Sequence, residues 1–256
     1  MRGPTFTARG VAQVRGTIER PASTDGDVEG ARLLADDLHT RMPLHLGSTL
    51  RGYLEVRTRY FDEQVAAADG QVVIVGAGYD DRALRFRRPG VHFVEVDHPD
   101  TQRDKLQRLR RLGIDADDIT FVPVDLALDD VALALDDVLD PSLPTLVLCE
   151  ALVPYLHRSD VDRLLRGLRS CPGAGRRLAV ELPLAPTTPW GRMAFGVLRT
   201  ATTFTGETIH TVFAGERDVD RLLRTTGWEP SVLTRGADMG MPAATKDIVF
   251  ATATAA

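Results

Sequence analysis

The chain has 256 residues, 43% of them hydrophobic, and a formal net charge of -5. That is enough apolar sequence for one core, at a size common among α/β domains. The acidic balance argues against a dedicated nucleic-acid binder. The many arginines are interleaved with Asp and Glu, the pattern of a solvated mixed-charge surface. Neither cysteine, Cys149 or Cys171, stands in a Cys-x-x-Cys pair or near a His cluster, so no metal site is expected. Cys149 ends an apolar run and reads as a small core residue. The start, Met1-Arg-Gly-Pro-Thr-Phe-Thr7, has no apolar h-region, and no apolar run nears the ~20 residues that span a bilayer. The expectation is a reduced, cytoplasmic, soluble protein with neither membrane nor nucleic acid as a partner.

In chain order, residues 8–19 and 29–39 carry helical spacing, broken at Pro21, Gly26, Gly30 and Pro43. A longer helical pattern over 50–68 ends at Asp69-Gly70. Strands are then predicted at 71–75, 91–96, 119–124, 145–149 and 176–182. Between them fall helices from Asp80, over 100–112, around 128–139 and over 159–169, the last with Ser159 as its N-cap. Such alternation predicts a parallel sheet with helices on both faces. Residues 183–215 break the rhythm and hold Trp190, Phe195, Phe204 and Phe213 at irregular spacing, as a lid or substrate wall does. A helix over 216–226 and a strand pair at 231–234 and 247–252 complete the pattern. The expectation is one domain over 1–256. It comprises a helical extension (1–69), a cofactor-binding core (71–182), a lid insert (183–215) and a C-terminal helix with a strand pair (216–256).

The most informative stretch is Gln71-Val-Val-Ile-Val-Gly-Ala-Gly-Tyr79. A β-branched run into Gly76-Ala77-Gly78 is a buried parallel strand entering a tight turn, where the backbone passes close under a ligand. A second apolar run ends in Asp97, about 20 residues later, the spacing at which an acid meets a ribose in a nucleotide-binding βαβ unit. The third glycine of the dinucleotide fingerprint is absent, and Asp80 and Asp81 stand by the helix start. Acids there suit the helix dipole but oppose a pyrophosphate, which needs the same helix end. S-adenosylmethionine has no phosphate, and an acidic rim favours its sulfonium and ammonium. Asp125, followed by Leu126, and Glu150 stand at the ends of the third and fourth strands, the edge at which open α/β sheets bind ligands.

These stretches resemble the leucine carboxyl methyltransferase family, especially its bacterial branch. The matching segments are Thr7-Ala-Arg-Gly-Val-Ala-Gln-Val-Arg15, Arg57-Thr-Arg-Tyr-Phe-Asp62, Val75-Gly-Ala-Gly-Tyr-Asp-Asp-Arg82, Glu95-Val-Asp-His-Pro99 with Lys105, Val124-Asp-Leu126 and Glu150-Ala-Leu-Val-Pro-Tyr155. The resemblance implies a Rossmann-like class I methyltransferase fold, with a seven-stranded, mostly parallel sheet whose last strand is antiparallel. It also implies roles: Asp97 on the ribose, Asp125 and Leu126 on the adenine, and Gly76 under the cofactor. Arg57 would grip the cofactor carboxylate, Glu150 would face its amino group, and Tyr155 would lie near the methyl-transfer site. Asp81 departs from the Thr usual in the bacterial branch, and the 183–215 insert matches no family pattern.

Methyl transfer is an in-line displacement at an activated carbon, so the protein mainly positions the nucleophile and excludes water. A carboxylate acceptor needs no base; a hydroxyl benefits from one, for which His157 and His210 are the imidazole candidates. The function expected is O-methylation of a small molecule, a carboxylate or an aromatic hydroxyl of polyketide type, with a homodimer left open. The alternatives are a cofactor-binding protein that does not methylate, a protein-carboxyl methyltransferase and a nicotinamide-dependent oxidoreductase.

Overall fold

A computed structural model of the chain describes residues 6–38, 47–188, 192–193, 196, 208–243 and 245–256. Helices α1 (Phe6–Arg15), α2 (Val28–Asp37) and α3 (Gly47–Ala66) precede the sheet. The alternating core follows: β1 (Gly70–Val75), α4 (Arg82–Arg85), β2 (Val91–Asp97), α5 (Pro99–Leu112), β3 (Ile119–Pro123), α6 (Val131–Asp136), β4 (Pro144–Cys149), α7 (Arg158–Ser170) and β5 (Ala174–Pro183). Helix α8 (Glu216–Thr225) and strands β6 (Trp228–Arg235) and β7 (Ile248–Ala255) complete it.

The seven strands order as β3-β2-β1-β4-β5-β7-β6. β1 to β5 pair in parallel, and β7 runs antiparallel to both β5 and β6. The predicted seven-stranded, mostly parallel sheet with an antiparallel last strand is the one that forms.

Strand alternation divides the core into two layers. On β1, Val73 and Val75 join the cluster built with Val131 of α6, Leu165 of α7 and Leu222 of α8. Val72 and Ile74 join the opposite cluster, with Leu34 of α2, Phe61 of α3 and Leu109 of α5. Both faces of the central strands are covered, which is why they read as continuous apolar runs.

Local chemistry sets the helix boundaries. Asp27 caps α2 by accepting from Gly30 N at 2.7 Å. At α5, His98 Nδ1 accepts from Asp100 N at 3.2 Å, Pro99 opens the first turn, and Gly113 closes the helix at φ 69°. Two expectations are corrected, and one left open between core and substrate wall is decided. The helix from Asp80 is a single turn, Arg82–Arg85, with Asp81 at its N-cap and Phe86 at its C-cap. The N-cap of α7 is His157, not Ser159, since the chain turns helical as soon as it leaves the turn at Val153–Tyr155. Phe213 is core rather than substrate wall: it is fully buried, and its backbone pairs with Pro183 and Ala185 at the root of the insert. Trp190, Phe195 and Phe204 lie outside the described residues. Among the described residues, no helix is long and apolar enough to cross a membrane.

Trp228 joins β6 to α7: its side chain is 0% exposed, and Nε1 donates to Leu165 O at 2.9 Å. Trp228→Ala leaves a large cavity and removes the indole bond to α7, a loss expected near 3–5 kcal/mol. Urea unfolding checks it, with the midpoint falling and the slope unchanged.

Candidate active site

Ligands of open α/β sheets bind beyond the carboxyl ends of the strands, where the strand order reverses. Here that point lies between β1 and β4. After β1 the backbone turns through Gly76 at φ 69° and Gly78 at φ 52°. A Cβ at Gly76 would also stand 3.1 Å from Leu152 Cδ1, so glycine serves both conformation and space there. The N–H groups of Gly76 and Ala77 both donate to Val96 O, at 2.8 and 3.1 Å, tying the turn to the end of β2.

Asp97 lies against this turn, 8% exposed. Its carboxylate accepts from Gly78 N and, at 2.5 Å, from His98 N. Burial raises its pKa, while these two N–H donors and Lys105 work against the rise. A carboxylate has about four acceptor positions, so two remain for further donors. At the adjacent strand end, Val124 N donates to Asp97 O at 2.8 Å, and His98 Nε2 stands 3.6 Å from Asp125 Oδ2. Leu126 is half-buried against the core. Asp97, Asp125 and Leu126 therefore form one contiguous edge.

The other side of the turn is a buried ionic network. Glu150, at the exit of β4, meets three guanidiniums: Arg15 at 2.6 Å, Arg82 at 2.6 Å and Arg57 at 2.9 Å. Asp80 is bound by Arg15 at 3.0 Å and by Arg82 at 2.5 Å. Arg20 spans Asp62 at 2.8 Å and Asp81 at 2.6 Å. The expected acidic rim is thus absent: Asp80 and Asp81 are buried and neutralised by arginines. Burial pushes the Asp80 carboxyl up, but Arg82 and Arg15 outweigh it and hold it well below the carboxylate range. Asp81 is held low by Arg20 and Arg15, and Glu150 by Arg15, Arg82 and Arg57, each against the same burial effect.

Arg57 is 3% exposed and has polar capacity to spare. Its Nη1 donates to Tyr53 OH at 2.7 Å. Its Nε contact with Glu150 is close but lacks hydrogen-bond geometry, so Nε and Nη2 are buried without hydrogen-bond partners. A planar guanidinium with open donors suits a carboxylate. Tyr155 is half-buried in the turn after β4. His210 is brought to that turn by its backbone N, which donates to Pro154 O at 2.8 Å. Its ring lies against His157, tilted by 37°, with centroids 4.0 Å apart. Burial, then His157, lowers its pKa, so the imidazole is neutral at neutral pH.

Sequence reasoning placed Asp97, Asp125 and Glu150 at successive strand ends, and the structure places them there. It gave no role to Arg15, Arg20, Arg82, Tyr53 or Glu181. Arg15 and Arg82 stood inside recognisable motifs, but their partners lie 135 and 68 residues away, a pairing no local pattern encodes. Glu181 lies level with Glu150, since Cys149 pairs with Val180. It was legible as a fourth acid near a strand end, inside a run read only as a strand.

Removing one partner from a buried network strands the others. Arg82→Ala leaves Asp62, Asp80 and Glu150 short of a cation and is expected to cost about 3–5 kcal/mol. Arg32→Ala, which breaks exposed pairs with Glu29 and Asp36, is expected to change little. The depressed carboxyls also set the pH dependence. Their stabilisation is complete above about pH 5, where the unfolded chain is ionised, and is lost progressively as pH falls toward the lower folded values. Thermal melts from pH 6 to pH 3 are expected to show a steep fall below about pH 4.

Residues 23–169, more than half of the chain, match the leucine carboxyl methyltransferase family. A protein of Mycolicibacterium smegmatis, named as a candidate S-adenosyl-L-methionine-dependent methyltransferase, is 41% identical over 140 residues, 51% of this chain and 43% of that protein. Another so named, from Mycobacterium avium, is 35% identical over 207 residues, 74% of this chain and 66% of that one. The chain spans about half the length of most of the curated relatives it matches. A crystal structure of a candidate methyltransferase from Thermobifida fusca superposes with a TM-score of 0.65 at 17% identity, covering 99% of this chain and 95% of that one. At that identity the likeness shows the fold. With its matching segment, its sheet order and its strand-end acids, the chain belongs to the leucine carboxyl methyltransferase family.

Proposed function

We propose that the chain is an S-adenosylmethionine-dependent O-methyltransferase acting on a small molecule that presents a carboxylate or an aromatic hydroxyl, of polyketide type. The observation that carries this reading is the row of complementary groups along one sheet edge. Asp97, with acceptor capacity left, stands at one side of the glycine turn, and Arg57, with donors left, at the other.

In this reading the ribose diol bonds to Asp97, and Asp125 accepts from the adenine amino group while Leu126 packs on the ring. Gly76, Ala77 and Gly78 form the floor. Arg57 takes the methionine carboxylate through its unpartnered nitrogens. Glu150 faces the amino group, its charge shared with the three guanidiniums around it. When bound, the cofactor supplies an activated methyl group, and the chain's task is alignment of the acceptor and exclusion of water. Tyr155 borders the acceptor side, and His210 offers a neutral imidazole beside it. A nicotinamide dinucleotide fits less well: the third fingerprint position is Asp81, a buried anion bound to Arg20, where a pyrophosphate needs a bare helix end.

Calorimetry tests the cofactor assignment. Wild type is expected to bind S-adenosylmethionine and S-adenosylhomocysteine and to give no heat with NADH. Asp97→Ala is expected to weaken both by about 10- to 100-fold, the worth of hydrogen bonds to a charged group. Tight binding that Asp97→Ala leaves unchanged would sink the assignment.

A further inference from the structure

On β5, Leu178, Val180 and Leu182 pack with α7 and α8, while Ala179 faces α3. Glu181 has the parity of Ala179, so its carboxylate points toward α3 at the sheet's carboxyl edge. It is 3% exposed. Oε1 accepts from Tyr53 OH at 2.5 Å, and Oε2 accepts from Ala151 N at 3.1 Å. Ala151 holds φ at 51°, the only non-glycine residue with positive φ among those described, and in that strained conformation it turns its N–H onto Glu181. Such strain persists where the surroundings enforce it, often at functional sites.

Tyr53 stands farther out. Helix α3 runs into β1 through a short turn, so its C-terminal end lies at the amino edge of the sheet and its N-terminal end at the carboxyl edge. Arg57 is level with Glu150 and Glu181, and Tyr53 is one turn, about 5.4 Å, nearer the mouth. It is half-buried, whereas Arg57 and Glu181 are enclosed. Its hydroxyl donates to Glu181 and accepts from Arg57 Nη1, which leaves one lone pair for an incoming donor.

Resting on the methyltransferase reading above, we infer that Tyr53 and Glu181 form a proton relay on the acceptor side of the site, and that the acceptor is a neutral hydroxyl rather than a carboxylate. The two strand-end glutamates differ in the way this requires. Three guanidiniums hold Glu150 ionised. Glu181 faces Arg57 and Tyr53 from α3, Glu150 and Ala151 N from the segment just after β4, and the apolar Phe250 on β7. Burial there raises its pKa above the ordinary carboxylate value, with Arg57 opposing, so it is the better proton acceptor. An anionic acceptor would have no proton to give this relay.

The step balances. As the acceptor oxygen bonds to the methyl carbon, the carbon–sulfur bond breaks and its electron pair neutralises the sulfonium. The acceptor proton passes to Tyr53 Oη, and the tyrosine proton passes to Glu181 Oε1, from which it later leaves to solvent.

The test uses the full chain with S-adenosylmethionine carrying a labelled methyl, and 2-naphthol and 2-naphthoate as a matched acceptor pair. Binding of each acceptor to the S-adenosylhomocysteine complex is measured in parallel. The naphthol is expected to bind and be methylated, and the naphthoate not. Tyr53→Phe and Glu181→Gln are each expected to lower kcat at least about 100-fold, within the range of general-base catalysis, with KM for the cofactor within about threefold. The wild-type kcat profile is expected to fall on the acid side at a pH above the ordinary carboxylate range, and Glu181→Gln to remove that limb. A merely structural role would change stability and both KM values but leave the limb in place. Preferred binding or methylation of the naphthoate overturns the inference. So does binding of neither acceptor, a limb that survives Glu181→Gln, or one removed by His210→Asn instead. Failure of wild type to bind S-adenosylmethionine at all overturns the underlying reading, and calorimetry separates that outcome from the others.

Discussion

Glu150 meeting Arg15, Arg57 and Arg82 is the contact on which the rest of this edge depends. It joins the N-terminal helices to the sheet: α1 supplies Arg15, α3 supplies Arg57, and α4 supplies Arg82, its first residue, just beyond Asp80 and Asp81. Burying ions costs several kcal/mol each, and attraction offsets this only when the geometry is good and the remaining valences are filled. The network is therefore better understood as fixing geometry than as a net source of stability. It sets the height of Arg57 against the strand ends and holds the glycine turn in place. It also keeps α1 and α3 across the mouth of the site.

Two charge environments follow along a single sheet edge. Toward β2 and β3, Asp97 and Asp125 are held by backbone N–H groups and one imidazole, with acceptor capacity to spare. Toward β4 and β5, carboxylates are matched by guanidiniums, and the spare capacity belongs to a cation, Arg57. A ligand with a neutral diol at one end and a zwitterion at the other is complementary to that gradient. The same gradient separates the two glutamates. Glu150 is surrounded by cations, while Glu181 shares one guanidinium and a phenol, so burial outweighs attraction only at Glu181.

The legible part of the fold was the part encoded by contiguous residues. Val72 to Val75 running into Gly76 announces a buried strand and its turn, because β-branched runs and backbone close approach are local properties. Asp97, Asp125 and Glu150 were legible as strand-end acids for the same reason. For Phe213 the sequence left core and substrate wall nearly even, because an aromatic at irregular spacing carries no sign of which face it takes; its backbone pairs with Pro183 and Ala185, far along the chain. Asp80 and Asp81 were read as an acidic rim, but their exposure was misjudged, since arginines that bury them come from distant segments.

The sequence by itself determined the architecture, the position of the glycine turn and the acids at three strand ends. These rest on period, turn chemistry and spacing, all carried within a few residues. Only the tertiary structure decided which charges are paired and which remain available. Ion pairing depends on distances between side chains 61 to 135 residues apart, and on burial that no single segment controls. So Arg57 is an open donor, Glu150 a hub and Glu181 a shielded carboxyl because of where the chain folds, although all three are plain charged residues in the sequence.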